Sequence, residues 1–190
     1  MEETWVDLPG QGVRLHCWRA GARGPRVLLL HGFPEAGFVW RPVMQALAGE
    51  CRLIAPTQRG HAPSSRPAGD AAYRARTLVA DLVELIQHEG APVDLVVAHD
   101  WGGALAWNLA AQHPALLRRL LIVNATHPGP FLRALREDPA QQAASAYMLA
   151  LSAPGAAARL LADEAAGLFR SEEHTSELQS RLHLVCRLLL

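Results

Sequence analysis

The chain has 190 residues, half of them apolar, and its 18 arginines, with no lysine, balance 18 acidic residues to a net charge of zero. This length suits one ordinary globular domain, and a transmembrane chain is excluded because no apolar run approaches the roughly 18 residues that span a bilayer. The neutral charge, three scattered cysteines without metal-ligand spacing and an N-terminus without a signal-peptide pattern predict a soluble cytoplasmic protein. We expect it to have no metal or cofactor and to bind neither nucleic acid nor membranes.

A β-hairpin followed by alternating strands and helices is predicted up to residue 124. Residues 4–8 and 13–18 flank a Pro-Gly-Gln-Gly turn and form the hairpin. Residues 57–69, rich in Gly, Pro and Ser, are a predicted loop. Apolar runs and helical spacing predict the other elements: strands at 27–30, 51–55, 95–98 and 120–124, and helices at 39–48, 77–88 and 103–112. This order indicates an α/β domain with a mostly parallel sheet.

After residue 124 the strand pattern stops. Residues 131–136, 139–151 and 156–169 have helical spacing, which is more typical of an inserted lid than of a further strand–helix unit. We therefore divide the chain into a core at residues 1–127, part of a helical lid at 128–169 and a tail at 170–190.

Asp100 stands at the apex of a predicted strand-to-helix turn. Small residues two positions before and after it, Ala98 and Gly102, allow such a sharp turn to expose its apical side chain. The familiar form of this turn carries a serine. A carboxylate beside the N–H groups of a helix N-terminus stays ionised, and it can attack carbon to form a covalent ester. The alternative from the pattern alone is that Asp100 only caps the helix.

Three motifs follow one another along the chain, and together they resemble the α/β-hydrolase superfamily. They are His31-Gly32-Phe33-Pro34-Glu35, Gln58-Arg59-Gly60 and His99-Asp100-Trp101-Gly102-Gly103. Within the superfamily they are similar to the epoxide hydrolase and haloalkane dehalogenase branch, over residues 4–169. The resemblance implies an incomplete α/β-hydrolase fold, with the first six strands of a mostly parallel sheet and part of a helical lid. It also implies a small apolar epoxide or halogenated substrate, with water as the second reactant.

The same resemblance implies a role for individual residues. Asp100 would be the nucleophile, and the backbone N–H groups of Phe33 and Trp101 would form the oxyanion hole. The family often has a cis peptide at the proline of the first motif, so the bond between Phe33 and Pro34 is a candidate. His31 and His99 resemble structural hydrogen-bonding residues rather than bases.

Position 33 and the lid help to separate the two branches. Dehalogenases typically carry Asn at the position of Phe33, so this residue favours an epoxide hydrolase. Tyr147, seven residues before Pro154-Gly155, resembles the lid tyrosine that donates a proton to the epoxide oxygen. The alternative is that Tyr147 only packs in the lid. The family generally uses two such tyrosines, and Tyr73 is too far from the lid in sequence to be the second, so the dehalogenase alternative stays open.

The resemblance also requires a catalytic acid and a histidine that activates water. Neither is identified among residues 1–169, before the tail. Their order in the superfamily is nucleophile, acid, histidine, and the alternative acid position after the sixth strand holds Asn124. His174 and His183 lie in the tail, whose beginning matches the translation of a common sequencing adapter; the alternative is a short native helix. We assign neither histidine as the base. We expect a truncated chain that is inactive by itself, and a non-catalytic product is the remaining alternative.

Overall fold

The computed structural model describes residues 1–153 and Gly155. The chain separates into two compact units, Met1–His127 and Pro128–Leu190. The predicted helix at 156–169 and the tail at 170–190 lie outside the described residues.

The first unit is built on a sheet that has six strands among the described residues. They are β1 (Glu2–Leu8), β2 (Val13–Ala20), β3 (Arg26–Leu30), β4 (Arg52–Pro56), β5 (Leu95–His99) and β6 (Leu120–Val123). Their spatial order is β1-β2-β4-β3-β5-β6. The hairpin β1–β2 and the pair β2–β4 are antiparallel, whereas β4, β3, β5 and β6 run parallel. The predicted fold class is confirmed, and each predicted strand is present with its ends shifted by at most two residues.

Helices follow the strands as the spacing predicts, but the first is divided, and the second and third begin at residues 75 and 100 rather than at 77 and 103. In place of a single helix at 39–48, a 3-10 turn at Gly37–Trp40 leads into α1 (Arg41–Leu47). Pro42 lies in the first turn of α1, where its missing N–H costs no hydrogen bond. Helix α2 (Ala75–His88) follows a 3-10 turn at Asp70–Tyr73. Helix α3 spans Asp100–Gln112 and so begins directly at the end of β5.

The core lies between the parallel strands and helices α2 and α3. Alternate residues of β3 and β5 enter it, such as Leu28 and Val96, together with Leu85 of α2 and Leu109 of α3, and all four side chains are at most 1% exposed. Central strands buried on both faces explain why the sequence there is continuously apolar. This packing fixes the carboxyl ends of β3 and β5 side by side, since Leu30 pairs in register with Ala98.

The second unit contains α4 (Pro128–Glu137), α5 (Pro139–Ala144) and α6 (Ala146–Ser152) among its described residues. The single helix predicted at 139–151 is therefore wrong: it is divided at Ser145, whose side chain is buried and accepts a hydrogen bond from Gln141 Nε2 at 2.9 Å. Serine favours helix ends because its hydroxyl competes for local hydrogen bonds. In the described part of the chain no helix is long and apolar enough to cross a membrane.

Candidate active site

Asp100 occupies a strained turn between β5 and α3. Its φ is +49°, a left-handed conformation that few residues other than glycine adopt and that is common at functional sites. The cap position of α3 is His99, and no side-chain cap bond is made there. The capping alternative for Asp100 is therefore not supported, and the predicted sharp turn is what the structure contains.

Glycines make this turn possible by allowing close backbone contact. A Cβ atom at Gly102 would lie 2.5 Å from the carbonyl oxygen of His31, and one at Gly103 would lie 2.4 Å from Cβ of Ala125. Both distances are far below van der Waals contact, so α3 approaches β3 and the segment after β6 only because these side chains are absent.

The motif after β3 brings a backbone donor to the Asp100 carboxylate. Phe33 N–H donates to Asp100 Oδ1 with an N···O distance of 2.9 Å. The peptide between Phe33 and Pro34 is cis, as the resemblance implied. A Cβ at Gly32 would lie 2.6 Å from Asp100 Cβ, so the glycine allows the two turns to meet. Oδ1 of Asp100 therefore has a backbone hydrogen-bond partner. The side chain of Trp101, the next residue, is about half exposed.

Glu35 and His99 form a hydrogen-bonded pair next to this turn. His99 Nδ1 and Glu35 Oε2 are 3.2 Å apart, and Gly32 N–H also donates to Glu35 Oε2 at 3.3 Å. Burial alone would raise the pKa of Glu35, but the hydrogen bond and charge of His99 hold it below its ordinary value. Glu35 belongs to the first of the three motifs, but no role for it was predicted from the sequence. Its position three residues after Gly32 is the feature of the sequence that could have indicated a contact with this turn.

His31 links the turn after β3 to the residues that follow β4. Its Nδ1 is 2.8 Å from the carbonyl oxygen of Gly32, and its Nε2 accepts the N–H of Gln58 at 3.0 Å. The Gln58 side chain returns a hydrogen bond to the carbonyl of His31 at 2.6 Å. The side chain is fully buried, and burial lowers the pKa of His31 to about 4. The ring is thus neutral at pH 7 and is bonded as a structural residue would be.

The connection from β4 to α2 is held by a buried ion pair. Arg59 contacts Asp81 of α2 through two hydrogen bonds, Nε to Oδ2 at 2.8 Å and Nη2 to Oδ1 at 2.5 Å, and both side chains are 4% exposed. Arg59 Nη1 also donates to the carbonyl of Ala72 at 3.3 Å. Arg59 belongs to the second of the three motifs, but its partner was not predicted from the sequence, since Asp81 stands among the apolar residues of α2.

A cavity of about 440 Å³ opens beside the turn at Asp100, within the first unit. Phe33 and Trp101 line it at the turn, and Asp100 itself is not part of its wall. The remaining wall is mostly apolar and includes Tyr73, Leu78 and Leu105. A molecule whose reacting carbon lay at Asp100 would thus have an apolar space for its substituent.

The other sequence candidates are placed as follows. Tyr147 lies on α6 of the second unit with about half of its surface exposed, and its catalytic role remains a prediction. Asn124 follows β6 directly and has a φ of +56°. His174 and His183 are outside the described residues. Among residues 1–153 and 155, no group of three or more His, Cys, Asp or Glu side chains is arranged to hold a metal ion.

Known proteins similar to this chain include several epoxide hydrolases. Epoxide hydrolase 4 of Mus musculus is 35% identical over 144 residues, which are 75% of this chain and 40% of that protein. Epoxide hydrolase B of Mycobacterium tuberculosis is 37% identical over 160 residues, 82% of this chain and 45% of that protein. The chain thus spans less than half the length of these two relatives.

Solved structures give the same result. An epoxide hydrolase from metagenomes of hot environments has a TM-score of 0.78 and 37% identity, covering 84% of this chain and 54% of that one. A variant of the Bacillus megaterium epoxide hydrolase, solved with its naphthyloxy-propanediol product, has a TM-score of 0.81 and 30% identity, covering 88% and 58%. The model of the alpha/beta hydrolase fold family matches residues 25–182. The chain therefore belongs to the α/β hydrolase fold family and is epoxide hydrolase-like.

Proposed function

We propose that Asp100 is the nucleophile of an epoxide hydrolase reaction. Attack of its carboxylate on a ring carbon forms a C–O ester bond, breaks the ring C–O bond and leaves the epoxide oxygen as an alkoxide that takes up a proton. The observation that carries the proposal is the left-handed conformation of Asp100 together with the hydrogen bond from Phe33 N–H to its Oδ1 at 2.9 Å. Because Oδ1 is engaged, Oδ2 is the oxygen available to attack.

Hydrolysis of the ester would use the same backbone donor. Water adds to the carboxyl carbon of Asp100, and negative charge develops on the oxygen that the Phe33 N–H already contacts. The N–H of Trp101, in the first turn of α3, is proposed as the second donor. Removing one such donor typically costs about 100- to 1,000-fold in rate. This arrangement supports an ester intermediate more directly than it supports simple binding.

The proposed substrate is a small, largely apolar epoxide. Its support is the apolar wall of the neighbouring cavity, whose residues include Phe33, Leu78 and Leu105. Phe33 stands where dehalogenases typically carry an asparagine whose amide helps to hold the halide, so the epoxide is preferred over a haloalkane.

We also infer that the chain as given forms the ester without releasing it at a useful rate. The acid and histidine that activate water in this family follow the lid in the sequence order, and none of the residues that the structure describes is proposed for either role. Ester formation needs only Asp100 and a proton donor, whereas hydrolysis needs a base for water. The two steps are therefore expected to separate in this chain.

The test is intact-protein mass spectrometry of the purified chain with styrene oxide. We expect one added mass equal to the epoxide, mapped to Asp100 by peptide sequencing, and little diol. Asp100→Asn and Asp100→Ala are expected to abolish the adduct while leaving the far-ultraviolet circular dichroism unchanged, because a half-buried turn residue adds little core packing. An adduct retained in both variants would refute the nucleophile role. Diol released continuously by the chain would refute the inferred block, and an adduct formed faster with a bromoalkane would favour the dehalogenase alternative.

Tyr147 is proposed as the proton donor to the departing epoxide oxygen, because a phenol is neutral at pH 7 and donates well. Tyr147→Phe is expected to slow ester formation at least 100-fold, which is within the contribution of general acid catalysis. The adduct rate measured by the same mass spectrometry checks this. An unchanged rate would make Tyr147 a packing residue.

A further inference from the structure

Most polar side chains that line the cavity already have hydrogen-bond partners in the protein. The Nε2 group of Gln58 donates to the carbonyl of His31, and the Tyr73 hydroxyl donates to the carbonyl of Pro67 at 2.6 Å. Asn108 Nδ2 donates to the carbonyl of Ala104 at 2.8 Å. His31 and Arg59 are likewise bonded, as described above. These groups are therefore occupied in holding the wall together.

His61 differs from them. Its imidazole lines the cavity, yet its Nδ1 makes no hydrogen bond to any residue that the structure describes. Nδ1 is enclosed by protein, so the ring edge that carries Nε2 is the part that a ligand can reach. Nε2 makes no hydrogen bond to any residue that the structure describes, so a ligand atom in the cavity can pair with it without displacing a protein partner.

The ring of His61 is held in place. Its backbone N–H donates to the carbonyl of Gln58 at 3.1 Å, and the next turn is closed by Gly60 N–H donating to Ser65 at 3.0 Å. The His31 ring packs edge-on against it, with centroids 4.8 Å apart and an interplanar angle of 83°. The imidazole is thus oriented before a ligand binds, which reduces the entropy lost on binding.

Burial lowers the pKa of His61, and the carbonyls of Arg59 and Gln58 offset only part of this effect. The ring is therefore neutral at pH 7, with one nitrogen a donor and the other an acceptor. A hydroxyl group can pair with Nε2 whichever nitrogen carries the proton, because it both donates and accepts.

We propose that His61 is a specificity-determining residue that hydrogen-bonds a hydroxyl group on the substituent of the substrate, away from the reacting ring. The favoured substrates are then epoxides whose apolar chain ends in a hydroxyl group. This inference rests on the proposed function for the position of the ring, but the interaction itself is one of binding.

The experiment compares ω-hydroxyalkyl epoxides of increasing chain length with the alkyl epoxides in which a methyl group replaces the hydroxyl. Dissociation constants are measured with the full chain carrying Asp100→Asn, which forms no ester. For the chain length that fits, we expect the ratio of the methyl to the hydroxyl dissociation constant to fall about fivefold when His61→Phe is added, the value of one neutral hydrogen bond. His61→Gln, which keeps a donor and an acceptor, is expected to retain most of the ratio.

Asn108→Leu is the matched control, because it removes a polar side chain that lines the same cavity and is already bonded. Its ratio is expected to equal that of the parent. A ratio unchanged by His61→Phe across the whole series would overturn the inference. If His61→Phe does not fold, nitrogen NMR of the His61 imidazole in the parent decides: a shift with the hydroxyl epoxide but not with its methyl analogue supports the inference, and equal spectra overturn it.

Failure of this inference and failure of the proposed function give different results. Ester formation in the unmodified chain with no hydroxyl preference leaves the function intact and removes the role of His61. A hydroxyl preference that depends on His61, with no ester from any epoxide, supports the role of His61 and removes the proposed function.

Discussion

Two connections at the carboxyl edge of the sheet position the candidate site in different ways. Between β5 and α3 there is no intervening residue, and the turn depends on the left-handed conformation of Asp100 and on glycines without side chains. Between β4 and α2 the chain runs through residues 57–74, held by the Arg59–Asp81 pair and by side-chain hydrogen bonds. The first holds the Asp100 carboxylate by backbone geometry, and the second builds the cavity wall from contacts between residues far apart in the chain. We therefore expect the β5–α3 connection to be sensitive to substitutions that add side-chain atoms and the β4–α2 connection to substitutions that remove a bonded side chain.

The largest effect on stability is expected from breaking the buried ion pair. Arg59→Leu leaves the Asp81 carboxylate without its partner in the core, which typically costs about 3–5 kcal/mol. Urea unfolding at pH 7 measures the loss. Arg14→Leu is the control, because Arg14 and Asp7 form an exposed pair 3.4 Å apart, and such pairs contribute at most about 1 kcal/mol.

Joint replacement sharpens this test. Arg59→Leu combined with Asp81→Leu is expected to recover much of the stability, because no charge is then left buried. Equal losses in the single and double variants would show that the pair matters through shape rather than through charge.

A pH-dependent effect is expected from His31, which joins the two connections. Its pKa is lowered to about 4 in the folded chain, whereas the unfolded value is near 6.5. Between these two pH values the unfolded state therefore binds more protons than the folded state. The stabilisation that comes from neutral His31 is fully present above about pH 6.5 and is lost as the pH falls toward 4. The loss amounts to roughly 3 kcal/mol over that window.

Urea unfolding between pH 4 and 7 measures this dependence, and His31→Asn, which cannot titrate, is expected to flatten it. Glu35 acts in the same direction at lower pH. Because its pKa is lowered in the folded chain, it stabilises the fold at pH values above its ordinary pKa, and this stabilisation is lost as the pH falls through the lowered pKa. A parent and a variant with the same pH dependence would contradict the role given to His31.

The smallest loss of stability, about 1–3 kcal/mol, is expected from Gly102→Ala, as for other overpacked positions. Its added Cβ would lie 2.5 Å from the His31 carbonyl oxygen and would displace α3 with Asp100. The rate of ester formation should therefore fall by a larger factor than the loss of stability alone explains. Gly49→Ala is the control, because a Cβ there has nothing within 4 Å. If both variants formed the adduct at the parent rate, the turn would not depend on close contact.

The sequence alone determined the order of the strands along the chain, the class of fold and the position of the sharp turn at Asp100. These depend on local signals: apolar runs that end where a strand ends, and small residues on both sides of Asp100. The cis peptide before Pro34 and the structural bonding of His31 were expected from the resemblance to the family. The division at Ser145 and the 3-10 turn before α1 were missed, because single polar residues and prolines shift helix ends without changing the apolar spacing.

Only the tertiary structure decided the contacts between segments far apart in the chain. The pairing of Arg59 with Asp81 joins positions 22 residues apart, and the pairing of Glu35 with His99 joins positions 64 apart. The unpaired Nδ1 of His61 is likewise known only once its surroundings are built. Spacing within one helix or strand predicts which face is apolar. It does not predict which polar group of another element will meet that face, because that depends on how the elements pack.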